Sequence, residues 1–259
     1  VRVALGVEYD GTNHAGWQVQ PSQRTVQGCL EEALSQVANH QVKTVAAGRT
    51  DSGVHALQQV VHFDTTSVRS ERSWILGLNS NLPSDINIVW ASPVDNDFSA
   101  RFSALNRSYR YLIFNRVGRS AIHEKRMWWL FGPLDELRMQ AAADLLVGHH
   151  DFSAFRAKLC QAHSPIKTVE KIQVIRQGNC IAIDVKAQSF LHHMVRNIVG
   201  VLVPIGQGIQ PVSWAKTVLD SRDRGQGGIT SAPEGLYLVN VEYPEKYKLP
   251  TVSAFPVVW

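Results

Sequence analysis

Two hydrophobic periods alternate along this chain, and their order limits the folds open to it. Val1, Val3, Leu5, Val7 and Tyr9 alternate with period two, the pattern of a half-buried strand. Residues 25–39 then place Val26, Leu30, Ala33, Leu34 and Val37 on one helical stripe. Strand patterns at 43–47 and 57–63, a helix over 70–79 and a strand at 86–94 complete a β-α-β-β-α-β succession. A similar succession follows. It has a strand over 108–115, a helix over 134–147 and a hairpin over 168–187 turning at 177–179. After these come an apolar helix over 190–205, a short helix over 211–221, a glycine-rich loop and a strand over 235–243. No residue-level repeat is present, but the element order echoes itself. This predicts an α+β protein of two halves, 1–104 and 105–259, each a sheet covered by helices on one face. The halves join near 95–107, and their seam is the expected cleft for a ligand. The last ten residues, PTVSAFPVVW, are expected to pack as an extended tail.

Composition excludes several classes. With 259 residues, 44% hydrophobic and 19% charged, the chain can bury one large core or two moderate ones. No apolar run is long enough to span a bilayer, and the first residues read as a strand and not as a leader. Cys29, Cys160 and Cys180 show no CxxC spacing, and an odd count argues against a disulfide framework, so a cytoplasmic home is expected. Ten histidines invite a metal, but none falls in HExxH or His-x-His spacing. His192 and His193, if helical, point about 100° apart and make poor joint ligands. Neither a metal nor a cofactor is expected. The segment DRGQGGITSAP matches no phosphate-binding loop and reads as a mobile loop near the cleft.

The net charge of +4 permits a polyanionic partner, and its distribution sharpens the point. Arg101, Arg107, Arg110, Arg116, Arg119, Lys125 and Arg126 face one acid, Glu124, and interleave with Phe102, Tyr109, Tyr111, Phe114, Trp128 and Trp129. Cations beside aromatic rings suit an RNA backbone and a splayed base. A solvated strand edge guarded by arginines has the same composition.

Among acids, Asp51 stands out. It lies in the loop of VAAGRTDSGVHALQQVVHFDT, two residues from Arg49, between strands able to hold it rigid. It is either an Asx-type turn residue or a presented nucleophile or base. Tyr109 shares a strand face with Tyr111 and Ile113, and all three suit a core; Tyr109, at the strand start beside Arg107 and Arg110, also suits a base-stacking ring. Arg196 interrupts FLHHMVRNIVGVLV. It is an ordinary surface arginine or a buried one needing a carboxylate, for which Asp51 and Asp184 are candidates.

Six blocks in order, YDGTNHAGWQVQ, AGRTDSGVHA, LNSNLP, FSARFSALNRSYRYLIFN, FLHHMVRNIVG and SAPEGLYLVNVEYP, resemble the bacterial tRNA pseudouridine synthases that modify the anticodon stem-loop. The resemblance runs from residue 9 to residue 244. It implies a pseudouridine synthase fold with mainly antiparallel sheets, a homodimer, and isomerisation of uridines at tRNA positions 38 to 40. It implies that Asp51 is the catalytic aspartate and that Arg49 serves base flipping and orients the aspartate. It also implies that Tyr109 stacks on the target uracil and that Arg196 pairs with the aspartate. Ser52 stands where alanine is common, a change the chemistry should tolerate. Such chemistry breaks N1–C1′, turns the uracil and rejoins it through C5. Asp51 would attack C1′ or remove the C2′ proton, and the base must first leave its stack. The basic 101–126 segment, with Arg24 and Lys43, would hold the phosphates. The rival readings are an RNA-binding module without catalysis and a glycoside or nucleoside hydrolase releasing free uracil.

Overall fold

The computed structural model describes residues 1–158 and 160–250; the tail expected over the last residues lies outside the described residues from 251 onward. The chain forms two compact units, Val1–Arg107 with the stretch from Tyr237, and Ser108–Leu236. The first crossing falls close to the expected boundary at 104/105. The C-terminal strand, however, returns to the first unit, where Tyr237 and Leu238 pair in parallel with His55 and Ala56. Sequence spacing carries no sign of that return, because the partner strand is far away in the chain.

In the first unit, strands β1 (Arg2–Tyr9), β2 (Val45–Ala46), β3 (His55–Asp64) and β4 (Ile86–Val94) accompany helices α1 (Val26–Ala38) and α2 (Glu71–Asn81). β1 lies between β3 and β4, antiparallel to both, and β2 adds to β3. Thr25 caps α1 through the Gly28 amide, and Asn39 ends it in the left-handed region at φ 59°. Ser70 caps α2 in the same manner through Ser73. The face bearing Leu5, Val61 and Phe63 carries the helices, with the Phe63 ring edge-on to Trp74 of α2. β1 is not half-buried as its alternation predicts. Ala4 and Gly6 are buried as well: Trp90 lies over Gly6, and the Phe98 ring meets His62, the residue paired with Ala4.

In the second unit, β5 (Asn106–Asn115), β6 (Trp128–Leu130), α3 (Glu136–Asp144), β7 (Gly148–Asp151), β8 (Ile166–Gln177), β9 (Cys180–Ala187), α4 (Met194–Gly206) and α5 (Trp214–Ser221) follow in order; β10 (Leu236–Glu242) starts at its last residue. The sheet runs β5-β9-β8-β7, with β6 parallel to β5. α3 packs on β8 and against α4 and α5. The hairpin turns where expected, with Gly178 at φ 58°. β6 and β7 are too short to carry a period of their own. Among the described residues no helix is long and apolar enough to cross a membrane. All three cysteines are free thiols.

Candidate active site

The segment from Ala47 to Val54 is tied down at nearly every residue. The Ala47 amide donates to the Val60 carbonyl at 2.8 Å, and the Gln59 side chain donates to the Gly48 carbonyl at 2.7 Å. Arg107 grips the Ala47 carbonyl through Nε and Nη2, at 3.2 and 2.8 Å. The hydroxyls of Tyr9 and Thr50 share a buried hydrogen bond of 2.7 Å. At the turn itself the Val54 amide closes onto the Asp51 carbonyl at 3.1 Å, with Gly53 at φ 78° in the position where such a turn needs positive φ.

The glycine-rich stretch after β1 backs this turn. The Trp17 amide donates to the Thr50 carbonyl at 3.0 Å, and the Ser52 hydroxyl donates to the His14 carbonyl at 3.0 Å. Gly16, at φ 88°, approaches so closely that a Cβ would lie 2.8 Å from the Thr50 oxygen. Asp51, half-buried, therefore sits on a backbone whose ordering is complete before any substrate arrives. Ser52, read from sequence as a tolerant position, is one of the fixing residues. His55 is buried against Tyr237, rings stacked with centroids 4.6 Å apart, and takes a structural part there.

Arg49 lies in the same segment, between Gly48 and Thr50. Its side chain is exposed and, among the described residues, makes no hydrogen bond or ion pair. The Thr50 carbonyl and the Ser52 hydroxyl hold the aspartate's segment.

In the second unit Tyr109 lies on β5, only 8% exposed, with its ring edge-to-face against Phe190 at 5.0 Å between centroids. Tyr111, two residues on, is a core residue: its hydroxyl donates to the Ala232 carbonyl at 2.6 Å, and burial pushes its ionisation far up. Arg196 projects from α4, half-buried, and its Nε donates to the Ser231 carbonyl at 2.8 Å, while the Ser231 amide returns a bond to the Arg196 carbonyl. Asp184, one of its two candidate partners, is taken. Arg110 holds it through two bonds of 2.6 and 2.7 Å.

The loop over 223–231, expected to be mobile, is pinned instead. Buried Asn197 accepts from Arg224 Nη2 at 3.0 Å and from Thr230 Oγ1 at 2.7 Å, while its own amide donates to the Phe155 carbonyl. Arg224 Nη1 closes the loop onto Gly228 at 2.8 Å. His192 and His193 do not point apart as helical neighbours would. α4 begins at Met194, so neither residue is helical; His193, at φ 62°, brings the two rings to 3.9 Å between centroids.

In the cationic run from Arg101 to Arg126, Arg107 and Arg110 hold Ala47 and Asp184, and Arg116 binds the carbonyls of Gly118 and Arg119 within its own loop. The side chains of Arg101, beside the exposed Phe102, and of Arg119 are exposed. Arg24 and Lys43 are also engaged, with Asp85 and Glu31 respectively.

The first unit holds a half-buried carboxylate on a fixed turn, and the second unit holds a buried tyrosine within β5. The chain belongs to the tRNA pseudouridine synthase family, whose sequence model matches residues 6–103 and 142–244. It is 54% identical to tRNA pseudouridine synthase A of Nitrosococcus oceani over the whole of both chains. The protein of that name from Coxiella burnetii is 52% identical over 98% of each chain, and that from Alcanivorax borkumensis 54% identical over 99% of this chain and 96% of its own. The family's members are isomerases that act on uridine in tRNA.

Proposed function

We propose that this enzyme isomerises uridines in the anticodon stem-loop, at tRNA positions 38 to 40, with Asp51 as its catalytic carboxylate. The rigid fixation of the Asp51 turn carries this reading. A residue serving only to reverse the chain would not need bonds from Tyr9, Trp17, Gln59, Ser52 and Arg107 around it. In the reaction N1–C1′ breaks, C5–C1′ forms, the C5 proton leaves and N1 takes up a proton. Asp51 supplies either the attack on C1′ or the base for the C2′ proton.

Tyr109 is assigned to the uracil, whose ring it would meet face-on once the base is flipped; its own edge-to-face contact with Phe190 holds the phenol plane. Arg196 and Arg49 are assigned to substrate. The exposed Arg49 side chain suits a phosphate or the vacated base position better than it suits the aspartate. The enzyme works on this reading as a cytoplasmic homodimer.

The test is to incubate the protein with unmodified anticodon stem-loop RNA carrying tritium at uridine C5. Isomerisation releases tritium and leaves a carbodiimide-reactive pseudouridine in the chain. Free uracil would instead support a nucleoside hydrolase, and binding without either product would support a binding module.

A further inference from the structure

Asp85 stands in the turn just before β4, outside every block assigned to the chemistry, yet it gathers three partners. Arg24 meets it through two hydrogen bonds, Nη1 to Oδ2 and Nη2 to Oδ1, each 2.8 Å. The fully buried ring of His14 sets Nε2 3.3 Å from Oδ2, and neither ring nitrogen makes an aligned hydrogen bond among the described residues. The Asp85 carbonyl accepts the Asp10 amide at 3.0 Å. All three partners belong to, or hold, one segment. Asp10 and His14 bound the glycine-rich stretch after β1, and Arg24 binds it twice more, its carbonyl accepting from the Ala15 amide and its Nη1 donating to the Asn13 carbonyl.

That segment touches the turn of Asp51 on both sides of the carboxylate. The His14 carbonyl accepts Ser52 Oγ, and Trp17 binds Thr50. From Asp85 the path is one contact to His14, one to Ser52, and one peptide bond to Asp51. A buried histidine left without aligned hydrogen bonds is held where it is by the carboxylate beside it.

We propose that Asp85 is a positioning residue for Asp51, acting through His14 and Arg24 on the segment that backs the catalytic turn. The inference rests on the reading of Asp51 as the catalytic carboxylate. It requires the carboxylate charge and both oxygens, since one oxygen faces His14 and the two together span the guanidinium.

The experiment compares Asp85→Asn with Asp64→Asn in the full chain. Asp64 holds Arg2 with two bonds of the same length in the same unit, and among the described residues it makes no hydrogen bond or ion pair to the 10–17 segment or the Asp51 turn. Single-turnover rates on the stem-loop RNA, affinities and circular dichroism are measured at one temperature where each variant is folded. Asp85→Asn should slow the single turnover about tenfold with affinity unchanged, the consequence of a misplaced reacting group. Asp64→Asn should leave both values as they are. A wild-type rate for Asp85→Asn, or an equal loss in both variants, overturns the proposal. Should Asp85→Asn not fold, Arg24→Lys, which keeps the charge and loses the fork, should slow turnover without changing affinity, and an unchanged rate there overturns it equally. Failure of the underlying reading is distinct: Asp51→Asn would then keep a tenth or more of wild-type turnover, whatever Asp85→Asn does.

Discussion

The amide of Trp17 donates to the carbonyl of Thr50, so the residue before Asp51 is bound to a segment some thirty positions earlier in the chain. Gly16 makes that approach possible, with φ at 88° and no Cβ to meet the Thr50 oxygen. Gly16→Ala should cost about 1–2 kcal/mol from left-handed strain, with the clash against Thr50 added to it. Thermal unfolding should show the loss, and turnover should fall further than the folded fraction does because the Asp51 turn is what moves. Equal losses in the two measurements would separate Gly16 from the site.

Asp51→Asn preserves shape and removes the charge. Isomerisation should fall by at least about a thousandfold, as expected for loss of a nucleophile or a general base. Affinity for the stem-loop RNA should stay within a few-fold. Filter binding beside tritium release checks both, and a variant retaining a tenth of wild-type turnover would remove Asp51 from the chemistry.

Tyr109→Phe and Tyr109→Leu separate ring from hydroxyl. The phenylalanine keeps the edge contact with Phe190 and any stacking, so a slowed turnover with intact affinity assigns the hydroxyl a proton-handling part. The leucine should weaken both, since a base stacked on an aromatic ring is worth about 1–3 kcal/mol. If both variants match wild type, Tyr109 is only a core residue like Tyr111.

The cations divide into two groups with different signatures. Arg110→Ala leaves Asp184 half-buried and unpaired and should lower stability by about 1–3 kcal/mol. Arg101→Ala and Arg119→Ala should leave stability alone. Each that touches a phosphate should reduce the slope of log affinity against log salt by about one. Fluorescence anisotropy across a salt series, with melting curves for all three, tests the division.

Acid should destabilise the first unit through two histidines. Burial lowers the ionisation of both His14 and His62 below that of a free imidazole. Nδ1 of His62 also accepts the Ala100 amide at 3.0 Å, which only the unprotonated nitrogen can do. The unfolded chain then binds more protons than the folded one below the free value of about 6.5. Their stabilising share is complete above that pH and is lost as pH falls through it towards the folded values. Melting temperature should be flat from pH 8 to 7 and drop towards pH 5, and His62→Gln, which can still accept from Ala100, should reduce the drop.

Much of this protein was legible in residue order. The caps Thr25, Ser70 and Asp135 and the turn at Gly178 act on neighbours a few positions away, so local chemistry determined where those helices and that hairpin form. The Asp51 turn was legible for the same reason, as a carboxylate between two glycines and two strands. Tertiary structure decided the rest, because the deciding partners are remote in sequence. Asp184 is held by Arg110, a pairing that residue order does not show. Arg24 is paired with Asp85 and Lys43 with Glu31, partners that residue order does not reveal. The 223–231 loop is rigid because Asn197, a buried residue on a helix already past, holds Arg224 and Thr230. A charged or amide side chain is ambiguous in sequence because its energy depends on which opposite group lies within about 3 Å when water is excluded. Local spacing prescribes the backbone; only the packed chain assigns each polar group its partner.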